Sequence, residues 1–133
     1  MSVTVVIIEG PLIVLPQWAP GRAGARLEFE GIVREQEGDG TVSSLQYEAY
    51  EPMAQTQLEQ LGKELVSRHG LIGMYIEHSK GIVPVGLCSF RLRIAAKHRK
   101  EALAAMDEFI DRLKRDIPIW KKPVWAVPSS ANG

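Results

Sequence analysis

The stretch CSFRLRIAAKHRKEALAAMDEFIDRLKRDIP, residues 88–118, carries two periodicities in succession, and the fold is read outward from it. Cys88, Phe90, Leu92 and Ile94 alternate with Ser89, Arg91 and Arg93, the period-two pattern of a strand with one apolar face. From about His98 the spacing changes. Ala102, Met106, Phe109, Ile110 and Leu113 recur every three to four residues, which predicts a helix with those side chains turned inward and Pro118 as its stop. A strand that runs straight into an amphipathic helix must bury both apolar faces together.

Upstream, the same reading gives a second helix. Pro52 suits a first turn, Ala54, Leu58, Leu61 and Leu65 share one face, and Gly70 supplies the end. Val3 to Ile8 is a β-branched run expected as a buried first strand. Arg26 to Arg34 alternates through Leu27, Phe29, Gly31 and Val33, and Ser43 to Tyr50 through Leu45, Tyr47 and Ala49, so these two are expected to pair as a hairpin around a mobile turn at Gly38-Asp39-Gly40. Ile72 to His78 is expected as a fourth strand, followed by a link punctuated by Gly81, Pro84 and Gly86. Pro16 to Gly24 reads as a loop, and residues from about 124 to 133 as a flexible tail. The order β, β, β, α, β, β, α points to one α+β domain over 1–133, with helices on one face of a mostly antiparallel sheet.

Composition excludes several classes. The chain has 133 residues, 45% hydrophobic and 24% charged, with sixteen basic against sixteen acidic residues. Zero net charge argues against a general nucleic-acid binder. No apolar run reaches the roughly 18 residues of a membrane span, and Met1 to Ile8 lacks the basic start of a signal peptide. A single cysteine, Cys88, cannot form an internal disulfide, so a cytoplasmic location is expected. Three scattered histidines and that cysteine have no metal-ligand spacing, and no metal or cofactor is implied.

Charge is unevenly distributed all the same: eight of the sixteen basic residues lie between Lys97 and Lys122. Lys97-His98-Arg99-Lys100 sits where a helix begins, and cations there oppose the helix dipole unless an anion is bound; the other reading is a simple exposed polar start. Lys114 and Lys121 flank the end of the same helix. Two ammonium groups held close would lower one another's pKa, whereas lysines at a helix C-terminus are also favourable to the dipole alone. Arg34 closes a strand at a loop, where an arginine suits phosphate or carboxylate. His78, beside Ser79-Lys80, reads as polar lining or as a half-buried structural histidine, the second being preferred, and His69 as a helix C-terminal residue.

Taken together, Gly31-Ile32-Val33-Arg34, Leu45-Gln46-Tyr47-Glu48-Ala49-Tyr50 with Met53-Ala54, Lys97-His98-Arg99, Leu113-Lys114 and Pro118-Ile119-Trp120-Lys121-Lys122 resemble, in order and spacing, the signature segments of the molybdopterin synthase large-subunit (MoaE) family. The resemblance implies an α/β hammerhead-type fold, a homodimer, and a small ubiquitin-like sulfur-carrier subunit at each end. The carrier's C-terminal Gly-Gly thiocarboxylate would deliver sulfur to cyclic pyranopterin monophosphate, forming the dithiolene of molybdopterin. By the same resemblance Lys114 and Lys121 are the catalytic lysines. Ile32, Val33, Arg34, His98, Arg99 and Lys122 are substrate-binding, with His98 and Arg99 offered by the neighbouring protomer. Two positions depart from the family pattern: Ser79 stands where an arginine is usual, and Pro123 where an acidic residue is usual. They favour the alternative of a non-catalytic paralogue that binds a ubiquitin-like partner or phosphorylated ligand through the same groove.

Overall fold

The computed structural model describes residues 2–13, 18 and 20–126. Its elements are β1 (Ser2–Glu9), β2 (Ala25–Ile32), β3 (Gln36–Glu37), β4 (Gly40–Ala49), α1 (Met53–His69), β5 (Gly73–Pro84), β6 (Cys88–Ala96), α2 (Arg99–Asp116) and β7 (Ile119–Trp125). The strands run in the order β2-β6-β5-β4-β3, with β1 added to β5 and β7 to β4. Long β5 is the hinge of the arrangement: Gly73 to His78 pairs with β6, and Gly81 to Pro84 pairs with β4. Only β1 with β5 is parallel among the described pairs, so the sheet is mostly antiparallel and the α+β class holds.

Both helices lie on one face because their apolar stripes have one surface to cover. Leu58, Leu61 and Leu65 of α1 and Ala102, Ala105 and Phe109 of α2 pack on Met74, Ile76, Phe90, Leu92 and Ile94. Burying each of the large side chains stabilises the fold by about 1.5–3 kcal/mol. Gly62 permits the close approach of α1 to the sheet, since a Cβ there would lie 2.6 Å from Val3 Cγ1. At Gly70, φ is 65°, and its N–H donates to the Val66 carbonyl, ending α1 in the left-handed turn that glycine allows.

Several expectations need correction. The hairpin of β2 with β4 does not form: β2 pairs with β6, and β4 with β5 and β7. Charge complementarity explains the choice, because Glu28 and Glu30 fall opposite Arg93 and Arg91 of β6, whereas β4 offers Ser44, Gln46 and Glu48. The strand also stops at Ile32, so Val33 and Arg34 lie beyond it. β1 is only half-buried, having a single strand neighbour among the described residues. Gly38-Asp39-Gly40 is a short turn joining β3 to β4, with Gln36 opposite Thr41. β5 continues through Gly81, where the sequence suggested a link. The polar side of β6 is not solvated: Ser89, Arg91 and Arg93 are as buried as the apolar side. Finally, β7 carries the chain through Val124 and Trp125, into the stretch expected as tail. Residues 127–133 lie outside the described residues, as do 16, 17 and 19 of the expected Pro16–Gly24 loop.

Candidate active site

A cleft of 820 Å³ opens where the C-terminal half of α2, the end of β2 and strands β4 and β7 converge. Helical spacing places Ile110, Leu113 and Lys114 on its α2 wall, since positions i, i+3 and i+4 share a face. Strand pairing supplies the opposite wall. Tyr47 of β4 is directly across from Lys121 of β7, and residues so opposed project to the same side. Ile32 and Arg34 enter from the end of β2, while Val33 between them turns the other way and is buried against Leu45 and Val83. Backbone bonds from Val33 N–H to the Leu87 carbonyl (3.0 Å) and from Gly86 N–H to the Val33 carbonyl (2.8 Å) hold this segment in place.

Three cations therefore face one cavity: Arg34, Lys114 and Lys121. Two carboxylates also line it, but they are not equivalent. Glu30 accepts from Arg91 Nε at 3.0 Å and is tied to the sheet. Glu37 of β3 lies 3.7 Å from Lys121 Nζ. Among the described residues Arg34 and Lys114 have no ion-pair partner, so the cavity has positive charge to offer an anion.

The cavity floor is polar and neutral. Tyr47 and Ser89 hydroxyls are 2.9 Å apart, and Ser89 Oγ donates to the Gly31 carbonyl at 3.5 Å. Burial pushes the Tyr47 phenol up, and the nearby Glu37 charge adds to this. His78 is buried beside them, and burial pushes its imidazole down, so it is neutral near pH 7. Apolar Phe29, Leu45, Phe90, Ile119 and Trp120 complete the lining. Cationic walls over a neutral floor suit a ligand that is anionic at one end and uncharged at the other.

The MoaE protein family model matches residues 13–116. The chain belongs to the MoaE family. It is 38% identical over 103 residues to a Bacillus subtilis protein named molybdopterin synthase catalytic subunit, covering 77% of this chain and 66% of that protein. To an Aspergillus niger protein of the same name it is 35% identical over 115 residues, covering 86% and 64%. The chain thus spans about two thirds of the length of these curated relatives. The molybdopterin synthase structure from Staphylococcus aureus superposes with a TM-score of 0.81 at 31% identity, covering 90% of both chains. A complex of subunits 1 and 2 of molybdopterin-converting factor from Helicobacter pylori gives 0.71 at 27% identity, covering 95% of this chain and 92% of that one.

Of the residues that the MoaE resemblance singled out, Ile32, Arg34, Lys114 and Lys121 come together in the cleft. Val33 points into the second core cluster, and Lys122, next to Lys121 on β7, lies outside the lining. His98 and Arg99 are at the other end of α2, about 22 Å from Lys114 at 1.5 Å per residue. There His98 is 80% exposed, with Glu101 3.7 Å from its Nδ1. Within one copy of the chain, the basic start of α2 and the lysines at its end cannot touch one ligand. Sequence reasoning did not place Glu37, Tyr47 or Ser89 in the site, and for His78 it preferred a structural role over the polar lining that the cleft shows. The alternation of β4 that carries Leu45 and Tyr47 was the available signal for Tyr47. For Ser89 and Glu37 there was none, because both acquire their role only through pairing.

Proposed function

We propose that this MoaE-family chain is the catalytic subunit of a cytoplasmic molybdopterin synthase, a sulfurtransferase that moves sulfur from a thiocarboxylated small carrier subunit to cyclic pyranopterin monophosphate. The observation that carries this reading is the convergence of Arg34, Lys114 and Lys121, from three separate segments, on one cleft. Both reactants are anionic, and charge-assisted hydrogen bonds of about 1.5–3 kcal/mol each would hold them side by side. Lys114 holds the carrier's C-terminal Gly-Gly thiocarboxylate against the pterin side chain, and Lys121 serves as acid or base. In each transfer a C–S bond forms on the pterin side chain as a C–O bond there breaks, while the carrier terminus loses its C–S bond and becomes a carboxylate, with water balancing the oxygen exchanged; two transfers build the dithiolene. Positioning and charge stabilisation account for most of the acceleration.

His98 and Arg99 join the site from a second copy of the chain, which is why the homodimer matters to this reading; their distance from Lys114 within one copy supports that arrangement. The ubiquitin-like carrier then docks at each end of the dimer. Ser79 and Pro123, the residues favouring a non-catalytic paralogue, lie outside the cleft lining; the Ser79 hydroxyl is spent on the Gly10 carbonyl at 2.7 Å, and Pro123 sits opposite Leu45 in β7. Mixing the purified protein with thiocarboxylated carrier and cyclic precursor, then oxidising and reading dithiolene-derived fluorescence, tests the proposal. Product is expected, and Lys114→Ala and Lys121→Ala should each lower it about a hundredfold or more, while the body of the carrier still docks. Carrier binding by the unaltered protein without product would establish the paralogue instead.

A further inference from the structure

One polar atom on the cleft floor is not accounted for by the charges on its walls. His78 has only 6% of its surface exposed, and its ring is wedged between Tyr47 and Phe90, with centroids 5.3 and 5.7 Å away. Its Nδ1 is 2.7 Å from the Ser79 carbonyl, which can only accept, so Nδ1 carries the proton and donates. In the neutral ring that leaves Nε2 as a bare lone pair. Nε2 has no partner among the described residues, yet no buried side-chain nitrogen or oxygen there lacks one. Nε2 is therefore open to the cleft that His78 lines. The neighbouring Tyr47 and Ser89 hydroxyls are already committed to each other and to Gly31.

A fixed lone pair in such a place repels anions and seeks an N–H or O–H. We propose that His78 Nε2 is the hydrogen-bond acceptor that recognises the uncharged, N–H- or O–H-bearing part of the small-molecule substrate, while the cationic wall takes its anionic part. This inference rests on the reading of the cleft as a substrate site and assigns it a second, neutral determinant. Discrimination follows from the same geometry: a ligand without a donor would leave the buried acceptor unmet, and sites built around a hydrogen bond reject such analogues strongly. The ring is held by packing and by the Ser79 carbonyl, so little ordering is needed on binding.

Calorimetric binding of cyclic pyranopterin monophosphate and, separately, of inorganic phosphate to the full chain tests it. His78→Phe keeps a ring and removes the acceptor. His78→Asn keeps an N–H for the Ser79 carbonyl, and its shorter side chain cannot carry its own acceptor, Oδ1, out to the position of Nε2. His78→Gln can place Oε1 near the position of Nε2. His78→Phe, without an acceptor, and His78→Asn, with its acceptor drawn back, should both bind the precursor about tenfold more weakly, with phosphate affinity unchanged, and His78→Gln should recover most of the loss. If His78→Asn, folded by thermal unfolding, binds precursor as the unaltered protein does, or loses phosphate equally, the acceptor role is wrong. An unaltered protein that binds phosphate but not precursor would instead overturn the proposed function, and this inference with it.

Discussion

Charged side chains meet in two regions of this molecule, and they are arranged in opposite ways. On the sheet face turned from the helices, Arg91 donates to Glu77 and to Glu30, both at 3.0 Å, and Arg93 to Glu28 at 2.6 Å. Burial works against the Arg91 charge, but those hydrogen bonds more than offset it and raise its pKa above the ordinary arginine range. In the cleft, Arg34 and Lys114 lack any such partner among the described residues. Ions closed on one another hold strands in register; ions left open are available to a ligand. The largest test of that distinction is Arg91→Met. It strands Glu77, whose side chain is 5% exposed, and should cost about 3–5 kcal/mol by urea unfolding. Replacing both, Arg91→Met with Glu77→Leu, should restore most of the loss, since a buried pair is often no better than apolar packing. A single-variant cost below about 1 kcal/mol would remove the contrast, for that is the scale of an exposed ion pair.

Lys114→Ala should do the reverse. Stability should stay within about 0.5 kcal/mol, as for most exposed substitutions, while dithiolene formation falls about 10²- to 10³-fold in single-turnover assays. Unchanged turnover would make the open cations of the cleft as passive as the closed ones of the sheet.

The same contrast explains what the sequence could convey. Both helices were legible because Leu58, Leu61 and Leu65, or Ala102 and Phe109, bury one face by local spacing alone. β7 was not, because Ile119-Trp120-Lys121-Lys122-Pro123 has no clean alternation; it is a strand by virtue of pairing with β4, on an edge where proline is tolerated. The partner of β2 was misread for a related reason: Glu28 and Glu30 find Arg93 and Arg91 more than sixty residues away. In the cleft, Arg34, Lys114 and Lys121 could be named through family resemblance, whereas the floor was hidden. Tyr47 and Ser89 are 42 residues apart, and neither is unusual until the fold brings their hydroxyls together.

Protonation offers a gentler probe of the floor. Burial lowers the His78 pKa in the folded chain, so the unfolded chain takes up that proton first as pH falls below about 6.5. Stability should therefore decline as pH drops from about 7 through 6, and the decline should be smaller in His78→Phe. Glu108 titrates in another window. Hydrogen bonds from His69 and Arg68 hold its carboxyl below the usual range, so its contribution is present above about pH 4.5 and is lost only as pH falls further. Urea midpoints measured from pH 7.5 to 4 separate the two; identical profiles for both proteins down to pH 5 would mean that His78 carries no penalty for charging.

The smallest effect concerns the one carboxylate that intrudes on the cationic wall. Glu37, 29% exposed, lies 3.7 Å from Lys121 Nζ, itself 52% exposed, and a pair so open to solvent is worth less than about 1 kcal/mol. An incoming anion must compete with that carboxylate for the same ammonium. Glu37→Gln should consequently tighten inorganic phosphate binding about two- to fivefold at low salt, with the unfolding midpoint unchanged. The gain should fade toward 1 M salt, where charges are screened within roughly 3 Å. Weaker binding in Glu37→Gln would mean that the carboxylate aims the lysine instead of competing for it. In that case Lys121 would belong with the closed ion pairs of the sheet, and Arg34 and Lys114 alone would form the open wall.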